Sequence, residues 1–235
     1  MIRTNQYPVP NRILPQHVLV STFNKSRLDV LVDAVLSANP QAMFYSTGGT
    51  GITLQEIMGS RATTNYMSVE EFTGCPEMEG GLVKTLHPKI HAGLLAERGN
   101  PHHEHFLNIE MAKFGKGPGV YFDIFAGNLY PFNDAVKKDG GSAEVARCYI
   151  DIGGPCMTMA AAKNWQSVAV LPQPGAYEIL GRVFAENGGR IPAFSRFQFA
   201  VVAMDAIAKF RRDNADHFAG LDFERDILPT ITLLP

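Results

Sequence analysis

The residues best suited to chemistry lie in one short stretch, Gly80 to His91, which reads GGLVKTLHPKIH. Two lysines and two histidines fall within its last eight residues, and glycine and proline interrupt it too often for a plain helix. Cations and titratable imidazoles on a loop suit the binding of an anionic ligand against a packed scaffold. A solvated basic loop would have the same composition, so the interpretation depends on the rest of the chain.

A second candidate is the glycine-rich turn at 46–51, which reads STGGTG. It follows the apolar run Met43–Tyr45 and opens a helix predicted to end near Met58. Backbone N–H groups and the macrodipole at such a helix N-terminus favour an anion, so the turn is a candidate phosphate cradle. It lacks both G-K-[ST] and G-x-G-x-x-G, so neither nucleoside triphosphate hydrolysis nor nicotinamide binding is predicted. The alternative is a purely structural strand-to-helix turn.

A third group of polar residues lies in the second half of the chain. Asp151 stands before two glycines in IDIGGP, and Lys163 follows twelve residues later in AAAKN. The two would form an acid/base pair if the fold brought them together, because burial and nearby charges shift a pKa toward neutrality. The strand-like run 122–129 ends in the motif NLYPF, which contains Asn128 and Tyr130, and open α/β sheets bind ligands at the carboxyl ends of strands. Singly, each of these charges is typical of a protein surface.

The segments that must position these residues alternate between strands and helices. Hydrophobic patterning predicts strands at 17–21, 43–45, 64–67, 122–129 and 168–171. It predicts helices at 28–38, 50–58, 69–72, 101–114, 142–149, 156–164, 176–187 and 192–218. This order indicates an α/β fold, a parallel sheet sandwiched by helices, with a C-terminal helical extension.

The long C-terminal helix carries a phenylalanine-rich face. Its members are Phe194, Phe197, Val201, Met204 and Ile207. Such a face needs a partner, which is either the core of the same chain or a second chain in a dimer.

Composition excludes several classes of protein. With 235 residues, 46% of them hydrophobic and 19% charged, the chain is typical of one soluble globular α/β domain. A net charge of −2 gives no electrostatic footprint for nucleic acid. No run approaches the roughly 20 apolar residues of a membrane span, and the N-terminus lacks the apolar core of a signal peptide. These features predict a cytoplasmic protein with neither a nucleic-acid partner nor a membrane partner.

Neither the cysteines nor the histidines predict a metal site. Cys75, Cys148 and Cys156 form no C-x-x-C pair, which fits small buried side chains in a reducing cytosol. His102, His103 and His105 lie at the start of a predicted helix without a cysteine nearby or an H-E-x-x-H pattern. We therefore interpret them as a solvated helix end.

Six motifs, in order, resemble those of one known family. They are STGGT, EFTGCPEM, GGLVKTLHPKIHAGLLA, NLYPF, IDIGGP and AAAKN, and they resemble the inosine monophosphate cyclohydrolase domain, usually the N-terminal half of a bifunctional purine-biosynthesis protein. The resemblance covers residues 17–218, with 1–16 as an N-terminal arm and 219–235 as a C-terminal tail. It implies a methylglyoxal synthase-like fold and, in general, a homodimer.

The same resemblance implies an activity. It is the ring closure of 5-formamidoimidazole-4-carboxamide ribotide to inosine monophosphate, with loss of water and without cofactor or metal. The chain ends where the formyltransferase half of the bifunctional protein would begin, so the resemblance implies a stand-alone cyclohydrolase supplied by a separate formyltransferase polypeptide.

Site residues carry over motif by motif. The family's catalytic positions match Lys84, Tyr130, Asp151 and Lys163. We expect Asp151 and Lys163 to handle protons on one side of the ring closure and Lys84 and Tyr130 to act on the other, in either order. Substrate and phosphate contacts are expected from Ser21, Lys25, Ser46, Gly48, Gly49, Thr50, Thr85, Asn128, Ile152 and Gly153.

The chain departs from the family at four places. Leu82 and Met159 stand where the family has arginine, Phe23 where it has serine, and Arg27 where it has glycine. Losing an arginine weakens phosphate binding by about 1.5–3 kcal/mol for each charge-assisted bond. Arg27, at the helix entrance of the first loop, is expected to compensate. Two alternatives stand beside an active cyclohydrolase: a nucleotide-binding or regulatory module that has lost turnover through its missing arginines, and a phosphosugar enzyme of the same fold.

Overall fold

A parallel five-stranded sheet forms the centre of the chain in a computed structural model that describes residues 7–78 and 83–234. Within these residues the strands are β1 (Arg12–Ile13), β2 (His17–Thr22), β3 (Met43–Ser46), β4 (Tyr66–Ser68), β5 (Ile124–Asn128), β6 (Ala169–Leu171) and β7 (Ile191–Pro192). The sheet order is β4-β3-β2-β5-β6, with every neighbouring pair parallel. The inner strands β2 and β5 are short apolar runs because both of their faces are buried.

Helices connect the strands. Those described are α1 (Leu28–Ala38), α2 (Gly48–Met58), α3 (Ala62–Asn65), α4 (Val69–Thr73), α5 (Pro88–Leu95), α6 (Pro101–His105), α7 (Phe132–Lys138), α8 (Ala143–Cys148), α9 (Gly153–Lys163), α10 (Gly175–Glu186) and α11 (Ala193–Ala219). α1 packs against α2 and α10, whereas α9 packs against α5 and α11. From β2 the chain adds β3 and β4 on one side in the sheet, and it adds β5 and β6 on the other side. Right-handed crossovers therefore place the two groups of connecting helices on opposite faces of the sheet. The predicted sandwich is confirmed.

Most predicted elements have the predicted position, but α5 and α7 were not predicted, and the first two residues of the predicted strand 64–67 belong to α3. Two helices also differ in detail. α9 begins at Gly153, three residues before the predicted start, so Pro155 lies in its first turn, where a missing N–H costs no hydrogen bond. The predicted helix 101–114 changes form after α6, becoming a π-helical segment at Phe106–Glu110 and a 3₁₀ turn at Met111–Lys113.

The N-terminal arm is held against the C-terminal part of the chain. β1 pairs antiparallel with β7, and the fully buried Arg196 of α11 lies beside them. Its guanidinium donates to the carbonyl oxygens of Pro10 at 2.6 Å, Ile191 at 2.7 Å, Gln166 at 2.8 Å and Trp165 at 3.2 Å. A buried cation is tolerated there because its donors meet backbone acceptors.

The phenylalanine-rich face of α11 does not pack as one unit. Ile207 is buried, whereas the other four members of the face are exposed, Phe194 most of all at 72%. The core side of α11 is formed instead by Phe199, Ala200, Ala203, Ile207 and Phe210. The first alternative, that this face packs in the core of the same chain, is therefore wrong for four of its five residues.

Candidate functional site

The candidate site is a cavity of about 460 Å³ at the carboxyl ends of β2 and β5. These strands are neighbours in the sheet, and the chain order reverses between them, which is where open α/β sheets form a ligand crevice. The predicted residues that line the cavity are Ser21, Lys25, Gly49, Thr50, Lys84, Thr85, Asn128, Tyr130, Asp151, Ile152 and Gly153. Segments far apart in sequence therefore meet at one place.

One end of the cavity is the N-terminus of α2. Gly48 has a left-handed φ of +47°, and the N–H groups of this first turn have no carbonyl partner inside the helix. Two lysines lie over the turn: a β-carbon built on Gly48 would lie 3.5 Å from Nζ of Lys84, and one built on Gly49 would lie 3.4 Å from Nζ of Lys25. Free N–H groups below two ammonium groups form an anion site.

Two hydroxyl groups of this turn, those of Ser46 and Thr50, are buried, and only that of Thr50 is hydrogen-bonded. Thr50 Oγ1 donates to the carbonyl of Thr22 at 3.0 Å, which ties α2 to the end of β2. Ser46 is fully buried and does not line the cavity, and its Oγ has no hydrogen-bond partner among the described residues. An anion at this turn would therefore meet backbone N–H groups and lysines rather than the hydroxyl groups of Ser46 and Thr50.

Lys84 also has a carboxylate partner that the sequence did not indicate. Glu77 forms an ion pair with it, and both side chains are about one-third exposed. The ammonium group of Lys84 thus lies between an acidic residue of the preceding segment and the first turn of α2. Gly80, Gly81 and Leu82 lie outside the described residues, so the predicted effect of Leu82 has no structural counterpart here.

The opposite wall is the N-terminus of a second helix, α9. A β-carbon on Gly153 would lie 2.7 Å from Oγ1 of Thr85, and one on Gly154 would collide with the carboxylate of Asp151. Asp151 Oδ1 accepts the N–H of Gly154 at 3.1 Å. Burial raises the pKa of Asp151 above its ordinary value, and the N–H groups of Gly154 and Gly153 oppose that rise. A carboxylate with a raised pKa is a stronger base.

Tyr130 lies next to Asp151 among aromatic rings. Its ring meets those of Phe23, Tyr149 and Phe210 edge to face, at centroid distances of 5.1, 5.6 and 6.3 Å. Burial, followed by the negative charge of Asp151, raises the pKa of Tyr130 to about 12. The phenol is therefore a neutral hydrogen-bond donor at physiological pH.

Asn128, an expected substrate contact, lines the cavity and also makes hydrogen bonds within the protein. Its Oδ1 accepts the N–H of Asn24 at 2.7 Å, and its Nδ2 donates to the carbonyl of Asn24 at 2.9 Å. The N–H of Phe23 also donates to the carbonyl of Asn128 at 3.4 Å. Asn128 thus fixes the loop after β2, which carries Phe23 and Lys25 into the cavity.

Arg27 does not reach the anion site, contrary to prediction. Its guanidinium pairs with Glu178 of α10, outside the cavity. Its backbone has a φ of +65°, the left-handed conformation that favours glycine, at the residue before α1. It therefore provides no phosphate contact to compensate for lost arginines.

Lys163 lies away from the cavity as well. It is exposed at the C-terminus of α9, whereas Asp151 and Gly153 lie at the N-terminal end, about 15 Å away along a helix that rises 1.5 Å per residue. The geometry of one chain gives no support to an Asp151–Lys163 pair. Met159, where the family has arginine, is also absent from the cavity lining.

Sequence reasoning missed several lining residues. Thr22 ends β2, and Phe23 and Thr47 directly follow β2 and β3, so their position at a carboxyl edge could have indicated them. Ile150 lines the cavity as the first residue of the IDIGGP motif, whereas no motif marks Cys148, which lies at the end of α8.

Among the described residues there is neither a helix suited to crossing a membrane nor a cluster suited to holding a metal ion. No described helix combines the length and apolarity that crossing a membrane requires. Within 7–78 and 83–234, no group of three or more histidine, cysteine or acidic side chains could hold a metal ion. His103, one of the three histidines considered above, accepts the N–H of Glu97 through Nδ1 at 3.0 Å.

Comparisons with known proteins identify relatives over most of the chain. It is 38% identical to the bifunctional purine biosynthesis protein PurH of Synechococcus sp. (strain CC9902) across 82% of this chain and 34% of that protein. For PurH of Cutibacterium acnes the values are 41%, 74% and 31%, and for PurH of Xanthomonas oryzae pv. oryzae they are 33%, 94% and 39%. The chain thus spans about a third of the length of these curated relatives.

Solved structures agree on the fold. The crystal structure of ForH matches with a TM-score of 0.64 and 22% sequence identity, over 87% of this chain and 98% of that one. At this identity the match shows the fold alone. No family model matches the chain.

Proposed function

The chain belongs to the family of the bifunctional purine biosynthesis protein PurH, and from this premise we propose that it is an inosine monophosphate cyclohydrolase. The reaction is the ring closure of 5-formamidoimidazole-4-carboxamide ribotide to inosine monophosphate, with loss of water. The observation that carries the proposal is the arrangement of one cavity: an anion site with two lysines at one end, and Asp151 beside Tyr130 at the other.

This arrangement orients a ribotide. The phosphate binds the first turn of α2 below Lys25 and Lys84, where free N–H groups and positive charge coincide. The imidazole ring then extends toward Tyr130 and Asp151. Because the reaction is intramolecular, holding the formyl and carboxamide arms in attack geometry supplies much of the rate enhancement.

Asp151 is the proposed base. The carboxamide nitrogen must lose a proton as it attacks the formyl carbon. A carboxylate whose pKa is raised by burial accepts that proton more readily than an ordinary aspartate, while the N–H of Gly154 fixes its orientation.

Tyr130 is the proposed hydrogen-bond donor to the formyl oxygen, and Lys84 acts on that oxygen only through its positive charge, from the phosphate end of the cavity. That oxygen becomes an oxyanion when the new C–N bond forms, and it leaves as water after protonation. A phenol with a pKa of about 12 keeps its proton for hydrogen bonding, and the ammonium group of Lys84 stabilises developing negative charge. Lys163 receives no role in this mechanism because it lies at the far end of α9.

Two further features of the proposal concern partners. The formylated substrate requires a formyltransferase activity in the same pathway. From the family resemblance we also propose that the protein is a homodimer. Sedimentation of the purified protein over a range of concentrations tests the second.

The test of function is direct. Purified protein is incubated with the formylated ribotide, and purine formation is followed by its ultraviolet absorbance. Turnover is expected, with a loss of about 10²–10⁴-fold in Lys84→Ala and Asp151→Asn. The matched control is Lys113→Ala, which removes an exposed lysine paired with Glu110 and leaves turnover unchanged.

Other results contradict the proposal in distinguishable ways. Binding of inosine monophosphate without turnover indicates a nucleotide-binding module. Binding of neither nucleotide indicates a different substrate.

A further inference from the structure

The cavity lining has a cationic part and an apolar part. Lys25 and Lys84 lie at the first, over the N-terminus of α2. Three large exposed hydrophobic side chains line the cavity elsewhere: Phe23, Ile150 and Ile152. Exposed hydrophobic residues concentrated in one cavity indicate contact with an apolar part of a ligand.

Phe23 is unusual among them because its backbone is held firmly while its ring is open. The N–H of Phe23 and both backbone groups of Asn24 bond to Asn128 at the end of β5. The side chain of Phe23 is nevertheless 56% exposed. A ring held over a cavity by a fixed loop loses little conformational freedom when a ligand packs on it.

The ring of Phe23 is also placed relative to a proposed catalytic group. Its centroid lies 5.1 Å from that of Tyr130, with an angle of 76° between the ring planes. A flat heterocycle stacked parallel to Phe23 would therefore stand almost perpendicular to the ring of Tyr130.

We propose that Phe23 is a specificity-determining residue that stacks on the heteroaromatic base of the ribotide and selects ligands carrying such a base over the ribose phosphate alone. This inference rests on the proposed function. It also gives a role to the position where the chain departs from the family's serine, since a serine has no aromatic face on which a base can stack. Stacking on the base increases the affinity of the protein for the nucleotide, whether or not a cation contacts the phosphate.

The experiment compares two ligands that share the phosphate and differ in the base: inosine monophosphate and ribose 5-phosphate. Binding of each is measured by calorimetry for the wild-type protein, Phe23→Leu, Phe23→Ser and Phe23→Trp. Phe23→Leu and Phe23→Ser are expected to weaken the nucleotide by between about 5-fold and about 150-fold, with ribose 5-phosphate unchanged within about 2-fold. Phe23→Trp keeps an aromatic face and retains nucleotide affinity.

Phe194→Leu is the matched control, because Phe194 is 72% exposed on α11, outside the cavity lining. Equal losses for both ligands would overturn the proposal, since they would show that residue 23 acts through the loop that carries Lys25. Unchanged nucleotide affinity in Phe23→Leu would overturn it as well, and would leave the proposed cyclohydrolase activity intact. If the wild-type protein binds neither ligand, the proposed function and this inference are overturned together. That result differs from the two above, in which the wild-type protein still binds inosine monophosphate.

Discussion

Asp151 combines two opposing effects on the free energy of the protein. Its carboxylate is held out of water beside Tyr130, which raises its pKa, and an ionised group in such a place costs folding free energy. The N–H groups of the α9 N-terminus offset only part of this cost. A residue that destabilises the fold while sharpening proton transfer is typical of an active site.

Asp151→Asn should therefore stabilise the protein at neutral pH while turnover falls by about 10²–10⁴-fold. The folded-state pKa lies above the unfolded value near 3.8, so the ionised wild type is penalised at pH 7. As pH falls through the folded pKa and then below 3.8, the wild-type group is protonated in both states and the advantage of the variant disappears. Urea unfolding of both proteins at pH 7 and at acid pH measures this. A variant that is less stable than wild type at pH 7 would contradict the argument.

Glu77 competes with an anionic ligand for Lys84. Glu77→Gln removes its charge, so we expect inosine monophosphate to bind up to about 5-fold more tightly, since a partly exposed ion pair contributes about 0.2–1 kcal/mol. Calorimetry measures the affinity, with Glu71→Gln, which breaks an exposed pair with Lys116, as the control. Weaker binding would show instead that Glu77 positions the ammonium group.

At the scale of single elements, α1 begins with a residue in an unfavourable conformation. Arg27 has a left-handed φ of +65°, and its ion pair with Glu178 is exposed. Both Arg27→Gly and Arg27→Ala lose the ion pair with Glu178. Only glycine relieves the backbone strain, because alanine still disfavours a left-handed φ. We expect the glycine variant to be more stable than the alanine variant by about 1 kcal/mol in urea unfolding. Equal stabilities would show that the loop relaxes around residue 27.

Helices and strands whose apolar residues recur at one regular spacing could be predicted from the sequence. Features that depend on contacts between residues distant in sequence could not. α1 has Leu28, Leu31 and Val35 at helical spacing, and its predicted bounds are those observed. The face of α11 has the same kind of spacing, but period alone does not tell which side of a helix meets the core.

Polar residues show the same limit. Lys89 belongs to the basic stretch 80–91 that the sequence predicts as a loop, yet it is fully buried and donates to the carbonyls of Phe114 at 2.6 Å and Gly117 at 2.8 Å. Those acceptors lie about 25 residues further along the chain, beyond any local pattern. In the candidate site, motifs indicated Lys84, Tyr130 and Asp151, but the partner of Lys84 and the packing of Tyr130 required the fold.

At the scale of the whole molecule, Arg196 joins the two ends of the chain. Arg196→Met removes a guanidinium that serves four carbonyl oxygens, including that of Pro10 in the arm. We expect the free energy of unfolding to fall by about 3 kcal/mol or more, because buried acceptors lose charge-assisted bonds. Trypsin should also cleave after Arg12 faster than in the wild type.

The control for this prediction is Arg190→Met, which changes an exposed arginine and should stay within about 0.5 kcal/mol of the wild type. A similar small effect in Arg196→Met would show that water can replace the guanidinium.

The sheet order has a consequence for how the chain is made. β2 is central, but its neighbour β5 follows about 100 residues later, since Val18 pairs with Ile124. At about 5–20 residues per second, a ribosome needs about 5–20 s to deliver that partner. During this interval one edge of β2 has no neighbour, and the apolar residues of the early strands and helices depend on one another or on chaperones. The cavity, which needs the ends of both strands, forms only after this delay.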